Sequence, residues 1–135
     1  MTTRVRTRIA RAFAYAAHLG QQYGGAHYIT HLDHAVDVLR RFDIDEEGNP
    51  EVYEATYLHD TIEDTQVRYH DLATVFNPDV AFLVDAVTDQ EGANRKERHL
   101  KTYPRIRAAG GRALLVKLAD RIANVETSVL SLIHI

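Results

Sequence analysis

The chain has 135 residues, a formal net charge of −3 and no cysteine, with 45% hydrophobic and 26% charged residues. This is the composition of one ordinary globular domain, and it excludes disulfides, thiolate metal sites and thiol nucleophiles. The balanced charge, the lack of a membrane-length apolar run and an arginine-broken N-terminus lead us to expect a cytoplasmic protein with no nucleic-acid or membrane partner.

Ile9, Ala12, Phe13 and Ala16 recur at helical spacing and predict a first helix over about residues 3–19, with arginines on its other face and Gly20 as its stop. The stretch GQQYGGAHYIT reads as a loop. Thr30 is then the expected N-cap of a second helix, with His31 in its first turn and Ala35, Val36, Val38, Leu39 and Phe42 beyond. DIDEEGNP ends that helix, and Pro50 opens a third, over about 51–63, with Val52, Ala55, Leu58 and Ile62 on one stripe. Further helices are expected over Asp71 to Phe76, Pro78 to Val87, Arg95 to Ala109, and Arg112 to about Val125. Strand signals are essentially absent, so the expected fold is an all-α, single-domain helical bundle.

The segment Tyr57-Leu58-His59-Asp60-Thr61-Ile62-Glu63-Asp64-Thr65 places four ionisable groups at the end of an otherwise apolar helix. On a continuous helix Glu63 lies one turn beyond His59, and Asp64 one turn beyond Asp60. Three carboxylates so close repel one another unless a cation compensates. Imidazole with carboxylate suits manganese, iron, zinc, cobalt or nickel better than calcium or magnesium. His59 and Asp60 are too few to hold an ion, and His31 and Asp120, the latter in Lys117-Leu118-Ala119-Asp120-Arg121, are the further candidates. Each has a plainer reading: the His-Asp pair as an exposed helix end, His31 as an ordinary first-turn residue, and Asp120 as a surface carboxylate paired with Arg121 or Lys117.

In this order, YITH, LHDTIEDT and VKLADRIAN strongly resemble the HD-superfamily hydrolase domain of RelA/SpoT-type alarmone enzymes and their small stand-alone hydrolases, over about Ile9 to Val125. The resemblance implies an HD-type bundle and one metal, usually Mn2+ although other divalent transition metals are compatible, held by His31, His59, Asp60 and Asp120. It implies that Glu63 and Asp64 position or activate the attacking water, and that Asn124 lies near the substrate ribose. The implied reaction is removal of the 3′-pyrophosphate from a (p)ppGpp-like nucleotide, a small-molecule substrate. Arg95, Lys96 and Arg98, the dense basic stretch after the metal helix, are assigned to phosphate binding, with Lys117 beside Asp120 as a further contact; the plainer reading is a solvated helix start. His18 and Tyr28 match positions near the family's pocket.

The chain departs from the family pattern at Tyr23, where many members carry a basic residue that stacks on guanine; an aromatic ring stacks too but supplies no cation. Family members also continue past the asparagine with helices that close the bundle, whereas this chain ends in LSLIHI. That hexapeptide is also what a sequencing-library adapter encodes in one frame, so residues 130–135 are read as an adapter-derived tail, after a native-like sequence to about 129 and with the C-terminal helices missing. Two other readings stand beside the alarmone hydrolase: an HD phosphohydrolase of another nucleotide, such as a nucleoside mono- or triphosphate, and a nucleotide-binding module without turnover. The intact HDTIED weighs against the last. Oligomeric state is not legible in the sequence.

Overall fold

A computed structural model describes residues 1–133. Its described residues form eight helical segments and one short hairpin: α1 (Thr3–Ala17), β1 (Gln22–Tyr23), β2 (Ala26–His27), α2 (Ile29–Arg41), α3 (Pro50–Leu58), α4 (Thr61–Asp64), α5 (Tyr69–Val75), α6 (Pro78–Val87), α7 (Arg95–Ala109) and α8 (Gly111–Ile133). The expected helical bundle is present. None of the described helices is long and apolar enough to cross a membrane.

Local chemistry sets several boundaries. The Thr2 hydroxyl accepts from the Val5 amide at 3.2 Å and caps α1, while Asn77 and Asn94 cap α6 and α7 through bonds from Val80 N and Glu97 N, both 2.9 Å. Pro50 and Pro78 occupy first helical turns, where a missing N–H costs nothing. Thr30 is not the N-cap of α2, which begins a residue earlier at Ile29. Within the loop expected from GQQYGGAHYIT, Gln22 pairs with His27 and Tyr23 with Ala26 around Gly24 and Gly25. These glycines sit at φ +60° and +85°, the left-handed conformation a two-residue hairpin turn requires.

Helix α3 is the centre of the bundle and packs against α1, α2, α6 and α8. Every residue from Val52 to Leu58 is buried, so the single stripe expected there is replaced by a helix enclosed on all sides. Helix α1 presents Thr7, Ala10 and Ala14 to the interior rather than the expected Ile9, Ala12 and Ala16, which are exposed; Phe13 is half-buried. Small residues on that face let α1 lie close along α3. Helix α8 runs on past the expected Val125, and Leu130, Leu132 and Ile133 of the terminal hexapeptide are exposed upon it. His134 and Ile135, the rest of that hexapeptide, lie outside the described residues.

Candidate metal centre

The third helix does not continue through HDTIED. It ends at Leu58; Asp60 takes φ −101° and ψ 1°, and α4 starts at Thr61. The break is made by side chains that take over carbonyls otherwise used by the helix: His59 Nδ1 lies 2.7 Å from Thr56 O, and the Thr61 hydroxyl donates to Leu58 O at 2.7 Å. One relation of the continuous helix survives, because Asp64 N donates to Asp60 O at 2.9 Å.

The bond from His59 Nδ1–H to a carbonyl fixes the ring and turns Nε2 toward the neighbouring carboxylates, the orientation of a metal-ligating histidine with an outer-shell acceptor. Nε2 faces Asp60 Oδ2 at 3.0 Å and Asp120 Oδ1 at 3.1 Å. Neither approach has hydrogen-bond alignment, so the buried nitrogen has no true partner. His31 Nε2 meets the same Asp120 Oδ1 at 2.9 Å. One donor atom from each of His31, His59, Asp60 and Asp120 lies within 4.8 Å of all the others. Helix α2 supplies His31, the α3–α4 junction His59 and Asp60, and α8 Asp120.

These donors fit a divalent cation. Two carboxylates are gathered among largely buried groups and need two positive charges. In the metal-free chain a proton takes part of that role: burial disfavours a charged His59, yet Asp60 and Asp120 outweigh it and hold its pKa well above the usual range. Burial would raise Asp120, but His59 and His31 hold it far below the usual carboxylate range. Asp60 is likewise depressed against its burial, by His59 and by the Tyr28 hydroxyl that donates to it. Imidazole and carboxylate are borderline-to-hard donors compatible with several first-row metals.

Around the cluster, Tyr23 from the hairpin stacks on His31 with ring centroids 4.7 Å apart and planes at 30°. Its hydroxyl donates to Asn124 Oδ1 at 2.7 Å, and Asn124 Nδ2 donates to Asp120 Oδ1 at 3.2 Å. Tyr28 packs against His18, ring centroids 4.7 Å apart; His18 is buried, with Nδ1 2.7 Å from Gln21 Oε1 and Nε2 unpartnered.

Glu63 and Asp64 lie on the exposed side of α4. Partial burial, then the nearby Asp89, Asp60 and Asp64, push the Glu63 carboxyl up to about 7. Asp64 Oδ2 accepts from Gln21 Nε2 at 3.2 Å. Gln21 and Asp89 escaped the sequence reading. Gln21 lies in the loop between His18 and Tyr23, two residues already singled out, and could have been noticed there, whereas Asp89 follows a helix end with no local signal.

The assigned phosphate-binding residues are placed less uniformly. Lys117 Nζ is engaged by Asp89 Oδ1 at 3.2 Å. Arg95, Lys96 and Arg98 open α7 as exposed residues, with no hydrogen bond or ion pair to the four clustered residues among those described. Two large hollows, about 850 Å³ along α7 and about 670 Å³ between α7 and α8, have none of the four in their lining. The first is lined partly by Arg95 and Lys96, the second partly by Lys117 and Arg121.

An HD domain profile matches residues 10–130 of the chain. The guanosine-3′,5′-bis(diphosphate) 3′-pyrophosphohydrolase MESH1 of Danio rerio is 32% identical over 115 residues, covering 84% of this chain and 64% of that protein. Its namesake in Drosophila melanogaster is 30% identical over 132 residues, covering 93% and 72%. This chain thus spans just under two thirds of the first relative. The solved structure of a metazoan ortholog of SpoT, described as hydrolysing ppGpp and playing a role in starvation responses, superposes with a TM-score of 0.77 at 27% identity, over 90% of this chain and 68% of that one. Profile, relatives and fold agree, and the chain belongs to the HD domain family, among its RelA/SpoT-type hydrolase domains.

Proposed function

We propose that this chain is an Mn2+-dependent phosphohydrolase that removes the 3′-pyrophosphate from (p)ppGpp-like alarmone nucleotides. The observation that carries the reading is the meeting of His31, His59, Asp60 and Asp120 within 4.8 Å, with His59 held through its other nitrogen by a backbone carbonyl. The naming of the MESH1 relatives for that reaction supports the substrate class.

The four residues would hold the cation, which when bound polarises a phosphoryl group and lowers the pKa of water. Glu63, raised to about 7, is matched to neutral pH for accepting the proton of the attacking water. Asp64, tethered by Gln21, orients that water. Attack falls on the phosphorus bonded to the 3′ oxygen, and the P–O3′ bond breaks to release pyrophosphate. Asn124 and Tyr23 stand together at one wall of the cluster, where an amide and an aromatic ring suit a ribose and a base. Tyr28 orders Asp60, and Arg95, Lys96, Arg98 and Lys117 supply positive charge to the outer phosphates.

Incubating the Mn2+-loaded chain with ppGpp, GTP and GMP separates this reading from hydrolysis of another nucleotide. Release of pyrophosphate from ppGpp alone is the expected result. Turnover of GTP or GMP without turnover of ppGpp would overturn it.

A further inference from the structure

Helix α1 carries Arg4, Arg6, Arg8 and Arg11 and no acidic residue, in a chain whose net charge is negative. Cations in the first turns of a helix oppose its macrodipole, so Arg4 and Arg8 are not placed there for the stability of α1. Arg6 is used internally, bonded to the buried Glu54 at 2.6 Å. Arg4 and Arg8 make no ion pair or hydrogen bond among the described residues and are exposed.

Both border a hollow of about 230 Å³ formed by α1, α2 and α3 and lined by Arg4, Thr7, Arg8, Arg11, Arg40 and Tyr57. Two of its arginines are fixed in place. Arg11 is clamped by both oxygens of Asp33 at 2.8 Å, and Asp33 in turn accepts from the Tyr57 hydroxyl at 2.7 Å. Arg40 is bonded to Glu46 at 3.1 Å and lies 5.6 Å from the centre of the Tyr53 ring. Thr7 also bonds Glu46, at 3.0 Å. Four arginines therefore line one concavity; Asp33 and Glu46 pair with two of them, and Arg4 and Arg8 leave an excess of two positive charges.

We propose that this hollow is an anion site for inorganic pyrophosphate or phosphate, separate from the metal centre. The charge excess suits a multiply charged anion, and arginines gathered from two helices suit a tetrahedral oxyanion better than a planar carboxylate, which one arginine satisfies. The volume falls below that of pockets that enclose drug-sized ligands, which favours a free anion over a whole nucleotide. The hollow shares none of its lining with the four clustered residues, although Tyr57 is two residues before His59 and Asp33, which Tyr57 and Arg11 hold, is two after His31.

The test is isothermal titration calorimetry of sodium pyrophosphate, and separately sodium phosphate, into the full chain stripped of metal with EDTA, so that it does not depend on the proposed hydrolysis. Saturable binding that weakens with added NaCl is expected, as is a Kd at least tenfold higher in the Arg4→Ala/Arg8→Ala double variant. Both side chains are exposed and unpartnered, so the variant should melt as the parent does. No binding of either anion at millimolar concentration, or equal binding by the folded double variant, overturns the proposal.

Discussion

The Tyr23 hydroxyl donates to Asn124 Oδ1 at 2.7 Å, joining the hairpin to α8 across 101 residues of sequence. This bond leaves the Asn124 amide nitrogen turned toward Asp120, which also meets His31 and His59. A residue of the glycine-rich loop thereby helps to hold a residue of the four-residue cluster.

Tyr23→Phe should cost about 0.5–1.5 kcal/mol of stability, because Asn124 loses one hydrogen bond while the stack on His31 remains. Tyr23→Ala should cost more and also raise KM for the nucleotide. Urea titration of both variants, with steady-state kinetics, checks the order; equal stability of Tyr23→Phe and the parent would show that the bond contributes nothing.

Mn2+ should raise the melting temperature of the parent chain, since a ligand bound only by the folded state stabilises it, by about 2.7 kcal/mol at a hundredfold excess over Kd. Asp60→Ala should abolish the increase and the turnover. A thermal shift scan with and without Mn2+ measures this, and an undiminished shift in the variant would remove Asp60 from the ligand set.

Glu63→Gln should retain the Mn2+-induced shift and lose about 10²–10⁴-fold in turnover, the usual contribution of a positioned general base. The raised pKa also has a sign in stability. The folded metal-free chain holds the Glu63 proton more tightly than the unfolded chain, so its contribution is fully present below the ordinary 4.5 and is lost as pH rises through about 7. Glu63→Gln should therefore gain in melting temperature relative to the parent between pH 5 and pH 8. A difference that does not change with pH would contradict the shift.

Leu58→Ala should destabilise the chain by about 2–5 kcal/mol, because Leu58 is fully buried at the end of the central helix. It also adjoins His59, so weaker Mn2+ binding should accompany the loss. Denaturation and metal titration of the one variant test both.

Most helices and most helix ends were legible because they depend on neighbours in sequence: prolines opening α3 and α6, and apolar runs between turn residues. The misreadings have two causes. The buried face of α1 is made of Thr7, Ala10 and Ala14, which hydrophobicity ranks below the exposed Ile9, and only the nearness of α3 explains the choice. The break between α3 and α4 comes from side chains of His59 and Thr61 bonding back to carbonyls, which no periodicity records.

HDTIED announces itself locally, as an acidic cluster directly beside a histidine at the end of an apolar helix, and the order of the motifs points to His31 and Asp120 as its companions. Their meeting is another matter: they stand 89 residues apart, and it is the packing of α2 on α8 that brings His31 Nε2 within 2.9 Å of Asp120. Tertiary packing likewise brings Lys117 to Asp89 and Tyr23 onto His31, while Arg95, Lys96 and Arg98 stay exposed. Residue type and spacing carry the chemistry a segment is capable of, because they act over a few residues; distance between segments belongs to the core, because it is set by which faces bury each other.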